Sequence, residues 1–257
     1  MLTLPTRLPP GALLDQEGER LRPVLAEGGA LWLSAGADWA RVEDGRLTGW
    51  AARAGGRSAV PAAANAGGAA MADWRGHPAL AFSQGVNGGM TVPEAATDAE
   101  TFTLALAYAA PVQPARTILS LLIGPADAAN LLFLSHLDGV LTARDRSGGV
   151  AVELFFPDLT DQFRLVLLSW DAGRMTLRAG GRESQATGRL SGSEGPVDLF
   201  IGCRGARRGL GKTLGAGLIG DVILWPGRAL LSSDAEGDRA QLAALDSYAR
   251  WTYGGKA

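Results

Sequence analysis

The sequence is poor in cysteine and histidine, and it has no strong excess of charge. Cys203 is the single cysteine among 257 residues, so no disulfide can form within the chain. With only His77 and His136, and without a Gly-x-Ser-x-Gly motif, a serine hydrolase site is disfavoured. The formal net charge of −2 gives no field that attracts nucleic acid or an anionic lipid surface. We therefore predict no nucleic-acid partner.

Long apolar runs are also missing. No stretch approaches the roughly 18 apolar residues of a membrane-spanning helix, so we predict no membrane insertion. Residues 1–20 lack the basic start and the continuous apolar core of a secretory signal. Together with the single cysteine, this predicts a protein that is made in the cytoplasm without a signal peptide.

After the first 30 residues, the sequence is a succession of short strand patterns separated by Gly, Pro, Asp and Ser. Phe102, Leu104, Leu106 and Tyr108 alternate with small or polar residues, which predicts a half-buried strand. The segment 171–174, Asp-Ala-Gly-Arg, predicts a tight hairpin turn between two further strands. Roughly ten to twelve such strands predict an all-β sandwich of two antiparallel sheets.

The two ends of the chain differ from this pattern. Ser233-Asp-Ala-Glu236 fits a capping box, and the apolar spacing after it predicts a short C-terminal helix. Residues 1–28 carry four prolines, which predicts an extended N-terminal arm with one helical turn near Leu13–Leu21. The arm would pack on the domain, dock on another subunit or trail as a loose tail. We thus predict an arm over 1–28 and one sandwich domain over 29–257.

One segment imitates a nucleotide-binding loop. Residues 203–213 are rich in glycine and end in Gly-Lys-Thr, but Ala206 stands where the motif needs glycine. A strand pattern follows where the motif needs a helix whose N-terminus holds the phosphates. We interpret the segment as a loop between the last two strands, made basic by Arg204, Arg207 and Arg208.

The strand segments, taken in order, resemble bacterial laminin-G-like domains of the concanavalin A-like lectin/glucanase superfamily. The matching segments include ALWLSAGADW, GRLTGWAARAGG, GHPALAFSQG, FRLVLLSWDAGRMTLRAGG and GLIGDVILWPGRALLS. The resemblance covers about residues 30–254 and implies a jelly roll with one concave and one convex face. The residues after Trp50 depart from the family pattern, since they lack the Asp and Asn often found there.

Glucanases of this superfamily carry Glu-x-Asp-x-(x)-Glu along one strand, which aims the carboxylates into the substrate groove. This sequence has no such strand: Glu236-Gly-Asp238 falls in the predicted helix, and Glu153 stands alone among apolar residues. We therefore predict no catalytic residues and no enzyme activity. A hydrolase with displaced carboxylates is the least favoured alternative.

Exposed aromatic and polar residues are the candidates for ligand contact, because sugar rings stack on aromatic faces. The predicted ligand-binding residues are Trp39, Trp74, Asn87, His136, Arg204, Arg207 and Arg208. The alternatives are that His136 is a hydrogen-bonded sheet histidine and that the three arginines form a solvated loop tip, while His77 is interpreted as structural.

Loop acids raise the question of a metal. Asp138, Asp145, Asp158 and Asp161 offer the oxygen ligands that Ca²⁺ takes, but aspartate also occurs in turns because it caps backbone groups. Without an ordered cluster of such residues we predict no metal and no cofactor, with Ca²⁺ as the alternative.

These observations favour a non-catalytic, adhesin-like protein that binds a cell-surface polysaccharide. The missing signal peptide suggests a head spike or fibre of a phage-like particle or gene transfer agent, released by lysis. Such a protein would be oligomeric and would contact other particle proteins through its N-terminal arm. A structural appendage that binds only other proteins is the alternative.

Overall fold

We describe the protein from a computed structural model that covers residues 16–62, 69–111, 114–125, 129–155, 162–205 and 213–254. Within these ranges the chain forms seventeen strands and two helices. The helices are α1 (Gln16–Glu27) and α2 (Glu236–Tyr253). The strands are β1 (Leu31–Ser34), β2 (Ala40–Glu43), β3 (Arg46–Ala54), β4 (Ser58–Pro61), β5 (Ala70–Trp74), β6 (His77–Phe82), β7 (Met90–Ala96), β8 (Thr101–Ala109), β9 (Arg116–Ile123), β10 (Asn130–Leu137), β11 (Val140–Asp145), β12 (Ala151–Phe155), β13 (Arg164–Asp171), β14 (Arg174–Ala179), β15 (Arg182–Thr187), β16 (Val197–Ile201) and β17 (Gly217–Pro226).

The strands form two antiparallel sheets that face each other. The first sheet runs β15-β14-β13-β8-β17, and the far side of β17 pairs with both β1 and β6. The second sheet runs β12-β11-β10-β9-β16-β7-β4. β3 pairs with β1 of the first sheet and with β4 of the second, which joins the layers along one side. The predicted all-β, two-sheet jelly-roll sandwich is confirmed.

Apolar side chains between the two sheets form the main core. The four alternating large residues of β8 all lie in it, as their period of two predicts. The predicted hairpin turn joins β13 to β14 through Ala172 and Gly173, with φ of 42° and 97°. Two successive positive φ angles match the twist of a two-residue hairpin, so the prediction of this turn is also confirmed.

The N-terminal segment differs from the predicted extended arm. Residues 16–27 form α1 although Pro23 lies inside the helix. Leu21 and Leu25, one helical turn apart, are buried in the apolar cluster beneath the helices, and this packing outweighs the poor helix propensity of proline. Residues 1–15 lie outside the described residues, and the anchoring role of the arm stays a prediction.

Two smaller predictions are wrong. The strands outnumber the expected ten to twelve, because residues 40–96 divide into the six strands β2–β7, several of them only four to six residues long. The capping box does not form: α2 begins at Glu236, and Ala235 is its N-cap without a side-chain hydrogen bond. Ser233 lies two positions before this N-cap, and its hydroxyl accepts a hydrogen bond from the Ala235 amide at 3.2 Å.

The two helices cover the outer face of the first sheet. A second apolar cluster fills this interface and includes Trp32, Trp225 and Tyr248. Gln241 of α2 links the first sheet to α1. Its side chain accepts a hydrogen bond from the Trp225 indole of β17 at 3.0 Å and donates one to the Val24 carbonyl of α1 at 2.5 Å. Neither described helix has the length and apolar character needed to cross a bilayer.

A buried carboxyl group ties α2 to this sheet. Asp221 of β17 accepts hydrogen bonds from the Trp32 indole at 2.8 Å, the Tyr248 hydroxyl at 2.9 Å and the Tyr253 hydroxyl. Burial raises the pKa of Asp221, although these hydrogen bonds act in the opposite direction. Because two of the three donors belong to α2, this carboxyl group fixes the helix on the sheet.

Candidate functional site

An aromatic pocket lies beside the C-terminal end of α2, on the outer side of the first sheet. Its volume is about 170 Å³. We call this cavity the aromatic pocket. Its lining residues are Trp74, Arg75, His77, Gln162, Phe163, Tyr253 and Gly254.

Aromatic packing builds one wall of this pocket. The ring centroids of Phe163 and Tyr253 are 4.7 Å apart, and those of His77 and Tyr253 are 5.7 Å apart. Tyr253 turns its hydroxyl inward to Asp221, and burial raises the pKa of Tyr253 well above its ordinary value. The phenol is thus held as a neutral hydrogen-bond donor, and it contributes its ring to the pocket.

A tight hairpin holds Trp74 at the pocket. Trp74 and His77 are register partners at the ends of β5 and β6. The two intervening residues, Arg75 and Gly76, have φ of 56° and 81°, and the Asp73 carboxylate accepts a hydrogen bond from the Gly76 amide at 2.9 Å. The turn fixes the indole relative to the imidazole. A half-exposed indole with polar groups at the rim suits a ligand that has one apolar face and polar edges, as a sugar ring has.

The other predicted aromatic and amide residues lie elsewhere. Trp39 is partly buried against the main core, with its ring 5.9 Å from the Arg53 guanidinium carbon. Asn87 is buried, and its side-chain oxygen accepts a hydrogen bond from the Gly89 amide at 3.2 Å. Both residues therefore have structural contacts, and neither lines the aromatic pocket around Trp74.

The structure places His136 in the interior of the sandwich, and its contact with a ligand stays a prediction. β10 turns this side chain into the sandwich, where it is 1% exposed. Its Nδ1 lies 3.1 Å from the hydroxyl of Tyr108, which is also buried. Burial raises the pKa of Tyr108, so the phenol is neutral at ordinary pH. The alternative of a hydrogen-bonded sheet histidine fits this geometry.

Arg204, the arginine of the basic loop that the structure describes, lies on the outer face of the second sheet, opposite the aromatic pocket. The basic loop joins β16 to β17, the last two strands, as the sequence predicts. Arg204 reaches back over the sheet, and its guanidinium carbon lies 4.0 Å from the ring centroid of Phe133. Arg207 and Arg208 lie outside the described residues.

Of the four loop acids considered as metal ligands, the structure describes Asp138 and Asp145. Hydrogen bonds lower the pKa of Asp145 despite partial desolvation; the donors are Val150 N, Asn130 Nδ2 and Ser147 Oγ. Asp138 occupies a turn position with φ of 51°. In the part of the chain that the structure describes, no three His, Cys, Asp or Glu side chains cluster to hold a metal. Asp158 and Asp161 fall outside that part.

The sequence analysis missed most of the aromatic pocket. Phe163 and Tyr253 are 90 positions apart, and only the packing of α2 on the first sheet brings them together. His77 was interpreted as structural. The one local clue is the spacing of Trp74 and His77, because partners across a two-residue hairpin turn stand side by side.

Comparison with known proteins yields likeness of structure alone. No family model matches the sequence, and no curated protein matches it. A Trypanosoma rangeli sialidase matches with a TM-score of 0.55 at 15% identity, over 91% of this chain and 38% of the sialidase. An arabinofuranosidase complexed with arabinofuranosyl-alpha-1,2-xylobiose matches with a TM-score of 0.51 at 13% identity, over 78% of this chain and 50% of that one.

The mouse laminin alpha1 chain, domains LG4-5, matches less well, with a TM-score of 0.42 at 16% identity over 56% of this chain and 41% of that one. This score is too low to carry an argument. The two antiparallel sheets of this chain bear out the predicted resemblance only at the level of a jelly-roll-like β fold. This chain spans at most half of the length of the two enzymes.

These neighbours correct the prediction of a non-catalytic, adhesin-like protein without enzyme activity. Two solved structures that share the fold over most of this chain are glycoside hydrolases, a sialidase and an arabinofuranosidase. They give no support to a spike or fibre of a phage-like particle, or to an oligomer. The cytoplasmic origin of the chain stays a prediction.

Proposed function

We propose that this chain is a carbohydrate-active protein of the glycoside hydrolase type, and that its aromatic pocket engages a sugar of the substrate polysaccharide. The observation that carries the proposal is the cluster of ring side chains around Trp74, with Arg75 and Gln162 beside them. The fold shared with the two glycosidases supports it.

The pocket has the chemistry that carbohydrate recognition needs. A sugar ring offers C–H groups on its faces, which pack on an indole, and hydroxyl groups at its edges, which need polar partners. Trp74 supplies the aromatic face, while Arg75 and Gln162 supply exposed donors at the same opening. A volume of about 170 Å³ suits a single sugar unit better than an extended segment of polysaccharide.

Two measurements on the same samples test the proposal. The purified chain is passed over a panel of immobilised neutral and acidic polysaccharides, and the release of reducing ends from each polymer is followed. Release of reducing ends assigns bond cleavage to this chain. Retention without release assigns to it the substrate-engaging part of such an enzyme. A chain that neither binds nor cleaves any polymer of the panel would contradict the proposal.

Replacement of Trp74 by alanine should weaken binding to the retained polysaccharide by about tenfold or more, because a central aromatic contact is lost. The matched control is Trp251→Ala. Trp251 is 68% exposed on α2 and does not line the pocket, so its removal should leave the affinity unchanged. Isothermal titration with soluble oligosaccharides measures both variants, and circular dichroism checks that both remain folded. Equal affinities of the two variants would exclude the pocket as the sugar site.

A further inference from the structure

Two arginine side chains converge on one aromatic ring on the outer face of the second sheet. Phe133 of β10 is 4% exposed, and its register partner on β11 is Arg144. The guanidinium carbon of Arg144 lies 5.2 Å from the ring centroid, and that of Arg204 lies 4.0 Å from it. The two positive charges are therefore no farther apart than about one Debye length in 0.1 M salt.

Neighbouring groups hold Arg204 in place. Its Nε donates a hydrogen bond to the hydroxyl of Thr117 at 2.7 Å. The preceding residue, Cys203, is buried, and its carbonyl accepts a hydrogen bond from the Ser120 hydroxyl at 3.1 Å. Thr117 and Ser120 both belong to β9, so the start of the loop is fixed to the sheet. The guanidinium is thus oriented before any ligand arrives, which lowers the entropy cost of binding.

The positive charge at this place is not balanced within the described residues. Other arginines have carboxylate partners: Arg53 pairs with Glu19 at 2.9 Å, and Arg228 pairs with Asp238. No ion pair joins Arg144 or Arg204 to an acid in the part of the chain that the structure covers. Burial, followed by the nearby charges of Arg144 and Arg146, lowers the pKa of Arg204. A bound anion would remove this repulsion.

We propose that Arg144 and Arg204, supported by Phe133, form a binding site for a carboxylate or sulfate group of an acidic glycan. The site lies on the opposite face of the sandwich from the aromatic pocket and is separate from it. The choice of a glycan as the carrier of the anionic group rests on the proposed function. A planar guanidinium matches a carboxylate or sulfate in a two-point hydrogen bond, which explains the use of arginine here.

The surroundings favour a sugar over nucleic acid. Beside the arginines, Thr117, Ser135 and Thr142 are register partners on β9, β10 and β11, and they form a row of hydroxyl groups across the sheet. The row ends at Glu153 of β12, whose carboxylate accepts a hydrogen bond from Thr142 at 3.4 Å. Sugar hydroxyls suit such a row, because a hydroxyl group can both donate hydrogen bonds to it and accept hydrogen bonds from it. Phe133 is too buried to stack on a base.

The test compares each acidic polymer with its own neutral form. Polygalacturonate and carboxyl-reduced polygalacturonate are one pair, and a sulfated polysaccharide and its desulfated product are another. We expect the unmodified chain to bind at least one acidic form about tenfold or more tightly than its neutral form. Arg144→Gln should abolish this preference, and Arg204→Lys, which keeps the charge but loses the planar fork, should reduce it.

Arg41→Gln is the matched control, because this arginine is 78% exposed on β2 and its removal changes the net charge equally. It should keep the preference for the acidic form of the polymer.

The inference is overturned if acidic and neutral forms bind equally, if Arg144→Gln keeps the preference, or if a DNA duplex binds as tightly as the acidic polymer. If the acidic and neutral forms bind equally and this binding depends on Trp74, the arginine site is refuted but the proposed function is not. If no glycan binds at all, both the arginine site and the proposed function are refuted.

Discussion

Replacement of Asp221 by alanine should destabilise the fold by about 3 kcal/mol or more, because it removes the shared acceptor of three donors. The Trp32 indole and the hydroxyls of Tyr248 and Tyr253 all donate to this carboxyl group. A buried donor left without an acceptor costs about 1–3 kcal/mol. Urea denaturation followed by tryptophan fluorescence measures the change in the free energy of unfolding.

Tyr253→Phe is the milder companion variant, since it removes only one of the three donors. Its expected cost is about 1 kcal/mol. Asp234→Ala, at an exposed position just before α2, is the matched control for the loss of an acid and should change stability by less than about 0.5 kcal/mol. Similar stabilities of Asp221→Ala and Asp234→Ala would show that this carboxyl group does not hold α2 on the sheet.

The same carboxyl group gives stability a defined dependence on pH. Its pKa in the folded chain lies above the ordinary value of 3.8. A folded state that holds the proton more tightly gains stability at low pH, and this gain is fully present below about pH 4. It is lost as pH rises through the folded-state pKa. The unfolding free energy of the wild type minus that of Asp221→Asn should therefore be constant below about pH 4 and fall as the pH rises above it. A difference that rises with pH would refute the raised pKa.

Replacement of Leu25 by alanine should cost about 2–5 kcal/mol, the range for a large aliphatic side chain removed from a core. Leu25 of α1 is fully buried in the cluster that α1 and α2 share with the first sheet. Chemical denaturation checks this value. The result matters for the segment 1–28, which the sequence alone presented as an arm that another subunit could take up.

Leu137→Ala is the matched control for this variant. Leu137 ends β10 and is 46% exposed, so its truncation should cost less than about 1 kcal/mol. If Leu25→Ala costs as little as Leu137→Ala, α1 is only loosely attached and the arm interpretation regains support. A large difference makes α1 an integral part of the sandwich.

The sheets could be predicted from the sequence to the extent that side chains alternate. β8 has large residues at every second position, and the hairpin at 171–174 has a glycine where φ is positive, so both features follow from local rules. α1 does not follow from them, because Pro23 argues against a helix and the contacts that stabilise it are tertiary contacts with α2, β1 and β3. Local patterns do not contain information of that kind.

In the candidate sites, too, some residues could be predicted from local sequence and others are brought in only by tertiary contacts. Trp74 is predicted as an aromatic residue outside the regular strand pattern, but its partners Phe163 and Tyr253 join it through tertiary packing. Arg204 was predicted from the basic character of its loop, whereas Phe133 and Arg144 meet it only because β10 and β11 place them on one face. Side-chain direction along a strand is predictable, but the strand that lies next to it is not.

The reactivity of the single thiol of the chain can report how the segment that follows β16 moves. Cys203 directly precedes Arg204, and burial raises the pKa of the Cys203 thiol to about 11. A protonated and enclosed sulfur reacts slowly with alkylating reagents, so the labelling rate measures how often this stretch lifts from β9. Ligand capture by the neighbouring guanidinium would thus register as protection from alkylation, without any engineered probe.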